Sequence, residues 1–179
     1  MIESCYWKED LLKHAKALRH VKNPPRWSEK MVVNFEKNLI ISFFLIRKLF
    51  ETNKVSQKSL KYKAEIFCYK KSGKKITKLN QHSIDEVYNL DQEHKVSKGI
   101  IFIANQLIHS CTIFAYRKSI KNRNWDGVYA CSEYERDKTI YRIPITEIIK
   151  IFQLVGKDYP REIKITWDKK SDDYKIETN

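Results

Sequence analysis

The sequence predicts an α+β domain with a long buried helix and antiparallel strands. Three observations lead there. Residues 29–52 keep helical periodicity and are apolar nearly all round from Leu39 to Ile46, so that helix is buried on most sides. Several short stretches, 61–69 most clearly, alternate with period two. Helical and strand patterns do not alternate regularly, as a wound parallel sheet would require.

In chain order, residues 8–19 read as a short helix striped by Leu11, Leu12, Ala15 and Leu18. Pro24-Pro25 ends that segment in extended backbone. Ser28 is placed to cap the long helix, with Trp27 and Val32 at the spacing of a hydrophobic staple. Within that helix Leu39, Ile40, Phe43, Phe44 and Ile46 are the expected core. Strand 61–69 sets Tyr62, Ala64, Ile66 and Cys68 on one face, and Lys61, Lys63, Glu65, Phe67 and Tyr69 on the other. Ser72-Gly73 reads as a two-residue turn into a partner strand at 74–79. Ser83-Ile84-Asp85-Glu86 has the form of a capping box, and Ser97 caps a helix over 98–110. Strands at 111–117, 127–132 and 139–143 form a meander. Thr146 caps a helix through Val155, with Gly156 at its C′ position, and 163–167 with 174–177 make a last hairpin. The expected order is αα-ββ-αα-βββ-α-ββ, in a single domain over 1–179 with 1–26 as a peripheral helical arm.

Four cysteines lie far apart with no C-x-x-C pair, so the sequence offers no close-paired zinc ligands, and no metal or other cofactor is expected. Cys68 and Cys111 fall in apolar stretches and read as small core residues in a reducing compartment. The N-terminus lacks a basic stretch followed by an apolar one, and the longest apolar run is far short of the roughly 20 residues that span a bilayer. A cytoplasmic protein with no membrane partner is expected.

The net charge is +13. Residues 1–120 carry 23 Lys and Arg against 11 Asp and Glu, whereas 121–179 carry 12 against 11. Such asymmetry points to a polyanionic partner, a nucleic acid or an acidic protein. Lysine outnumbers arginine 27 to 8, a bias that an AT-rich genome also produces, so arginines carry more of the signal.

Nucleotide, zinc-protease and nucleophile-elbow motifs are absent. Two clusters suit nucleic acid. Lys70, Lys71, Lys74 and Lys75 surround Ser72-Gly73, on a strand that carries Phe67 and Tyr69, although a solvated, charged tip also explains them. Arg117, Lys118, Lys121 and Arg123 fill one loop flanked by Tyr116 and Trp125, where cations contact phosphate and rings stack on bases. His14 and His20 fall on a solvated basic face, and His82 and His94 are isolated in loops.

A third constellation is Asn105 and His109, four apart on one helical face. It resembles the short motif of HEPN-type ribonucleases, in which an Arg precedes a polar residue and a His. Here Ala104 stands where that Arg would be. The resemblance covers about six residues and implies metal-independent RNA cleavage by His109, with Asn105 and a cation such as Arg117. The alternative is a hydrogen-bonded pair where a helix hands over to a strand. Three functions are therefore carried forward: a non-catalytic module binding RNA or single strands, a ribonuclease acting through His109, and a protein-interaction subunit with an acidic partner.

Overall fold

A computed structural model describes residues 3–19, 27–118 and 125–179. It is α+β, with elements in the order α1 (Ser4–Ala17), α2 (Glu29–Glu51), α3 (Gln57–Lys61), β1 (Lys63–Lys70), α4 (Ile84–Val87), β2 (His94–Gly99), α5 (Ile100–Ile108), β3 (Ser110–Tyr116), β4 (Gly127–Ser132), β5 (Thr139–Pro144), α6 (Ile145–Gly156), β6 (Ile163–Asp168) and β7 (Asp173–Thr178). Strands β2-β1-β5-β4-β3 form one antiparallel sheet, and β6 and β7 form a separate hairpin.

Helix α2 starts as its sequence dictates: Ser28 is extended and its Oγ accepts from the Met31 amide, satisfying one of the four orphan donors of the first turn. Its inward stripe is Phe35, Leu39, Ser42, Phe43, Ile46, Leu49 and Phe50. Two expected core residues differ. Phe44 is 45% exposed and Ile40 is half-buried. The helix is covered by α5, α1 and α6 over only part of its circumference, so an apolar run without a polar stripe left its outward side unmarked.

The main core lies between the helices and the sheet face made by Ala64, Ile66, Val128, Ala130, Tyr141 and Ile143. Helix α1 closes one side with Leu11 and Ala15 fully buried. It reaches α6 at Gly156, where an added Cβ would lie 2.9 Å from Leu12 and 3.1 Å from the Lys8 carbonyl. Gly156 thus serves close helix packing as the last helical residue, not a C′ turn. Lys8 is buried at this junction. Its Nζ donates to the carbonyls of Lys54 and Asp158 and stands over the Tyr159 ring, while burial pushes its pKa down.

The second sheet face differs from expectation. Residues 74–79 form no strand, and β1 pairs instead with β2 and β5. Four lysines at 70–75 oppose a tight ladder, and Thr77 to Asn80 is held as a turn by Asn80 Oδ1, which accepts from the Thr77 amide at 2.7 Å. The segment folds over the sheet, and Ile76, Val87 and Tyr88 make a smaller core with Tyr69, Cys131 and Ile140. The ladder partner is 94–99. Ser97 sits opposite Glu65 in β2 and caps nothing, His94 is opposite Cys68 rather than in a loop, and the helix begins two residues later than expected with Gly99 at its N-cap. Likewise α6 begins at Ile145 with Pro144, not Thr146, at the cap position. Cys68 and Cys111 are half-buried, while Cys131 is buried and its thiol is pushed up to about 12, chiefly by burial. Among the described residues no helix is long and apolar enough to cross a membrane.

Candidate nucleic-acid interface and the Arg47 to His109 cleft

The two loops flanking the sheet place the sequence-derived cations differently. Lys70 ends β1 opposite Thr139 and is exposed. Lys71 lies 3.9 Å from the Asp137 carboxylate and Lys74 3.1 Å from that of Glu86, so part of this cluster is neutralised at the surface. Lys75 is exposed. The rings expected beside these lysines are not open platforms. Tyr69 is 3% exposed, and Phe67 lies under the Arg142 guanidinium, 4.1 Å from its ring centroid.

At the far end of β3, Arg117 and Lys118 are exposed. The Arg117 guanidinium rests on two rings, 4.8 Å from the Trp125 centroid and 5.6 Å from that of Trp27. Those rings pack on each other at 4.4 Å, and Trp125 also meets Phe35 of α2 at 5.6 Å. Trp125 therefore anchors the loop to the core and braces Arg117, instead of projecting outward. Lys118 donates its amide to the Asp126 carboxylate at 2.6 Å, which closes the base of the loop. Lys121 and Arg123 lie outside the described residues. Beside this corner a cavity of about 300 Å³ opens between α1 and α2, with Phe35, Trp27 and Trp125 as aromatic walls and His14 and Arg19 among its polar lining.

Tyr116 belongs to a buried polar network that the sequence did not reveal. Arg142 of β5 is 9% exposed and donates Nε to the Tyr69 hydroxyl at 2.9 Å and Nη1 to the Tyr116 hydroxyl at 3.0 Å. Its Nη2 pairs with Glu93, which also accepts from Tyr69. Burial alone would raise the Glu93 carboxyl, but the hydrogen bonds from Tyr69 and Arg142 hold it below the usual value. Gly127 makes room for Tyr116. Its φ is +153°, and a Cβ there would meet the Ile143 carbonyl at 2.2 Å and the Tyr116 ring at 2.5 Å. Only the guanidinium fork supplies donors in these three directions at once.

The third constellation gains a residue. Asn105 lies on α5 and His109, expected within the helix, stands at its C-cap; Arg47 of α2 reaches both. Nη1 donates to Asn105 Oδ1 at 3.3 Å and lies 3.0 Å from His109 Nε2. A guanidinium only donates, so Nε2 can accept from it only in the tautomer that carries its proton on Nδ1. The Glu51 carboxylate holds Arg47 from the other side, Nε to Oε1 at 2.9 Å, and hydrogen bonds from Lys48 and Arg47 depress its pKa. The end of α5 is fixed by Gln106, whose Oε1 accepts from the Ser132 amide at 3.0 Å. These groups border an open cleft of about 770 Å³ that Ser110, Cys111 and Tyr134 also line. Arg117 is not part of it. It follows the opposite end of β3, roughly 20 Å from Ser110 at strand rise. The sequence signal for Arg47 was slight: a cation closing an otherwise apolar stretch of a buried helix.

No protein family, curated protein or solved structure is matched by the chain.

Proposed function

We propose that the protein is a basic module that binds single-stranded nucleic acid. The observation that carries this reading is charge the fold leaves unused. Ion pairs among the described residues engage ten of the 31 Lys and Arg found there, while the first 120 residues of the sequence hold an excess of 12 positive charges. An excess of that size repels itself in the folded state and is relieved by a polyanion. The corner at Arg117 and Lys118 is the favoured contact. A guanidinium already held over Trp125 and Trp27 loses little freedom on meeting a phosphate. The Lys70 to Lys75 cluster is a weaker candidate, since Lys71 and Lys74 have carboxylates beside them.

Fluorescence anisotropy with a labelled single-stranded oligonucleotide separates the two. The double variant Arg117→Ala, Lys118→Ala is expected to lose more affinity than Lys70→Ala, Lys75→Ala at the same salt, both remaining folded. Equal losses would indicate a diffuse electrostatic surface, and the reverse order would move the contact to residues 70–75.

One observation favours a second reading, the ribonuclease: the guanidinium that α5 itself lacks is supplied by Arg47. In that reaction His109 Nε2 takes the proton of a ribose 2′-hydroxyl, whose oxygen attacks the adjacent phosphorus. The 5′-oxygen leaves and takes a proton from water, giving a 2′,3′-cyclic phosphate. Arg47 would turn from Asn105 and His109 to the phosphoryl oxygens, where charge develops. Single-turnover assays on single-stranded RNA in the presence of a chelator test it. Under this reading His109→Ala and Arg47→Ala each lower the rate by about 100-fold or more. Equal rates for both variants and the parent would leave the cleft a structural contact.

A further inference from the structure

The hairpin β6–β7 stands apart from the main sheet. At its base the ladder continues, with Arg161 and Glu162 donating their amides to the Asn179 carbonyl and Asn179 donating back to Glu162, and Thr178 Oγ1 joins the hairpin to the rest of the chain by donating to the Val55 carbonyl. Its register sets Ile165 opposite Ile176 and Trp167 opposite Tyr174, so that these four and Ile163 share one face. All five are large and exposed: Ile163 63%, Ile165 60%, Trp167 51%, Tyr174 62% and Ile176 39%. Lys164, Thr166, Lys175 and Glu177 take the other face. Two strands alone are marginal in water, and a ribbon this amphipathic is shaped to bury one side.

We infer that this face is a dimer interface and that its occupant is the same hairpin of a second copy. Two features select a second copy over a charged partner. Strand residues and turn together, 163–178, hold four lysines and four acids, so the hairpin is neutral within a chain of net charge +13. An acidic protein would find its attraction elsewhere on the surface, whereas two hairpins meet without the repulsion that any basic patch would impose. The area also suffices. The exposed parts of the five side chains amount to roughly 500–600 Å² per copy, or about 1,000–1,200 Å² when two faces close, the lower limit for a specific interface. A twofold contact lets one aromatic pair, with rings 4.9 Å apart, pack on the isoleucines of its partner. The inference does not depend on nucleic-acid binding, because its residues lie outside both basic clusters.

Light scattering on a sizing column, with the protein free of nucleic acid, tests it. Over concentrations of about 1 to 100 μM the mass is expected to rise from 21.5 kDa towards twice that value. The variant Ile165→Lys, Ile176→Lys should remain at the single-copy mass with an unchanged far-ultraviolet spectrum. A parent that stays monomeric throughout, or a folded variant that still doubles, overturns the inference. If the variant does not fold, amide exchange on the parent decides: residues 163–178 gain protection with concentration if the hairpins pair, and a concentration-independent pattern overturns the claim.

Discussion

Phe43→Ala is expected to destabilise the protein by about 3–5 kcal/mol, the usual cost of emptying a buried aromatic site. Phe43 is fully buried on the inward stripe of α2 and its ring lies 5.3 Å from that of Phe152 on α6. It therefore links the long helix to the helix that lies across the sheet. The surrounding Leu39, Ile46 and Ile148 are themselves fully buried and have little room to collapse into the void. The effect is read as a fall in the denaturant midpoint at unchanged m-value. A loss under about 1 kcal/mol would show that α2 does not form the centre of the core. Phe44→Ala provides the contrast, since that ring is 45% exposed and its removal leaves no closed cavity.

A comparable loss is expected from Arg142→Ala, for an electrostatic reason. The change removes the donor to Tyr69 and Tyr116 and takes from Glu93 its ion-pair partner. Breaking a buried ion pair from one side costs about 3–5 kcal/mol, and the lower end applies because the Glu93 side chain keeps 40% of its exposure. The double variant Arg142→Met, Glu93→Gln should recover part of the loss, since no charge is then stranded. The pH profile carries a sign of its own. Glu93 has a depressed pKa in the folded protein, so its contribution is present above the ordinary carboxylate value and is lost as pH falls through the folded value. Thermal melts between neutral and acid pH should accordingly bring the parent and the double variant closer together as pH falls. A gap that stays constant would show that the pair adds nothing to stability.

The elements that sequence made legible are those with a local cause. Ser28 capping α2, the alternation of β1, the meander β3 to β5 and the neutral hairpin at the end each follow from residues within one element. What was hidden depends on partners far along the chain. Residues 74–79 share the composition of a strand edge, but Ile76 finds Tyr69 and Tyr88 across the sheet and the segment becomes a cover. Residues 94–99 lack a strong apolar alternation and are drawn into the ladder by β1. The same applies to the sites. Asn105 and His109 could be paired from helical spacing, but Arg47 is 58 and 62 residues away from them, and only packing of α2 on α5 joins the three. Trp125 looked like a stacking platform because its sequence neighbours are basic, and the staple-like position of Trp27 gave no sign that the two rings pack together under Arg117. Arg142 appeared as one cation in a strand, with nothing nearby to mark Tyr69, Glu93 and Tyr116 as its ligands.

The central claim, binding of single-stranded nucleic acid through excess positive charge, is tested most directly by the salt dependence of affinity. The association constant for a single-stranded oligonucleotide, measured by anisotropy across salt, should fall linearly on logarithmic axes with a slope of roughly 0.7 per phosphate neutralised. With six contacts, raising salt from about 50 to 200 mM lowers affinity roughly 300-fold. A slope near zero, or no binding at the lowest salt, would contradict the account.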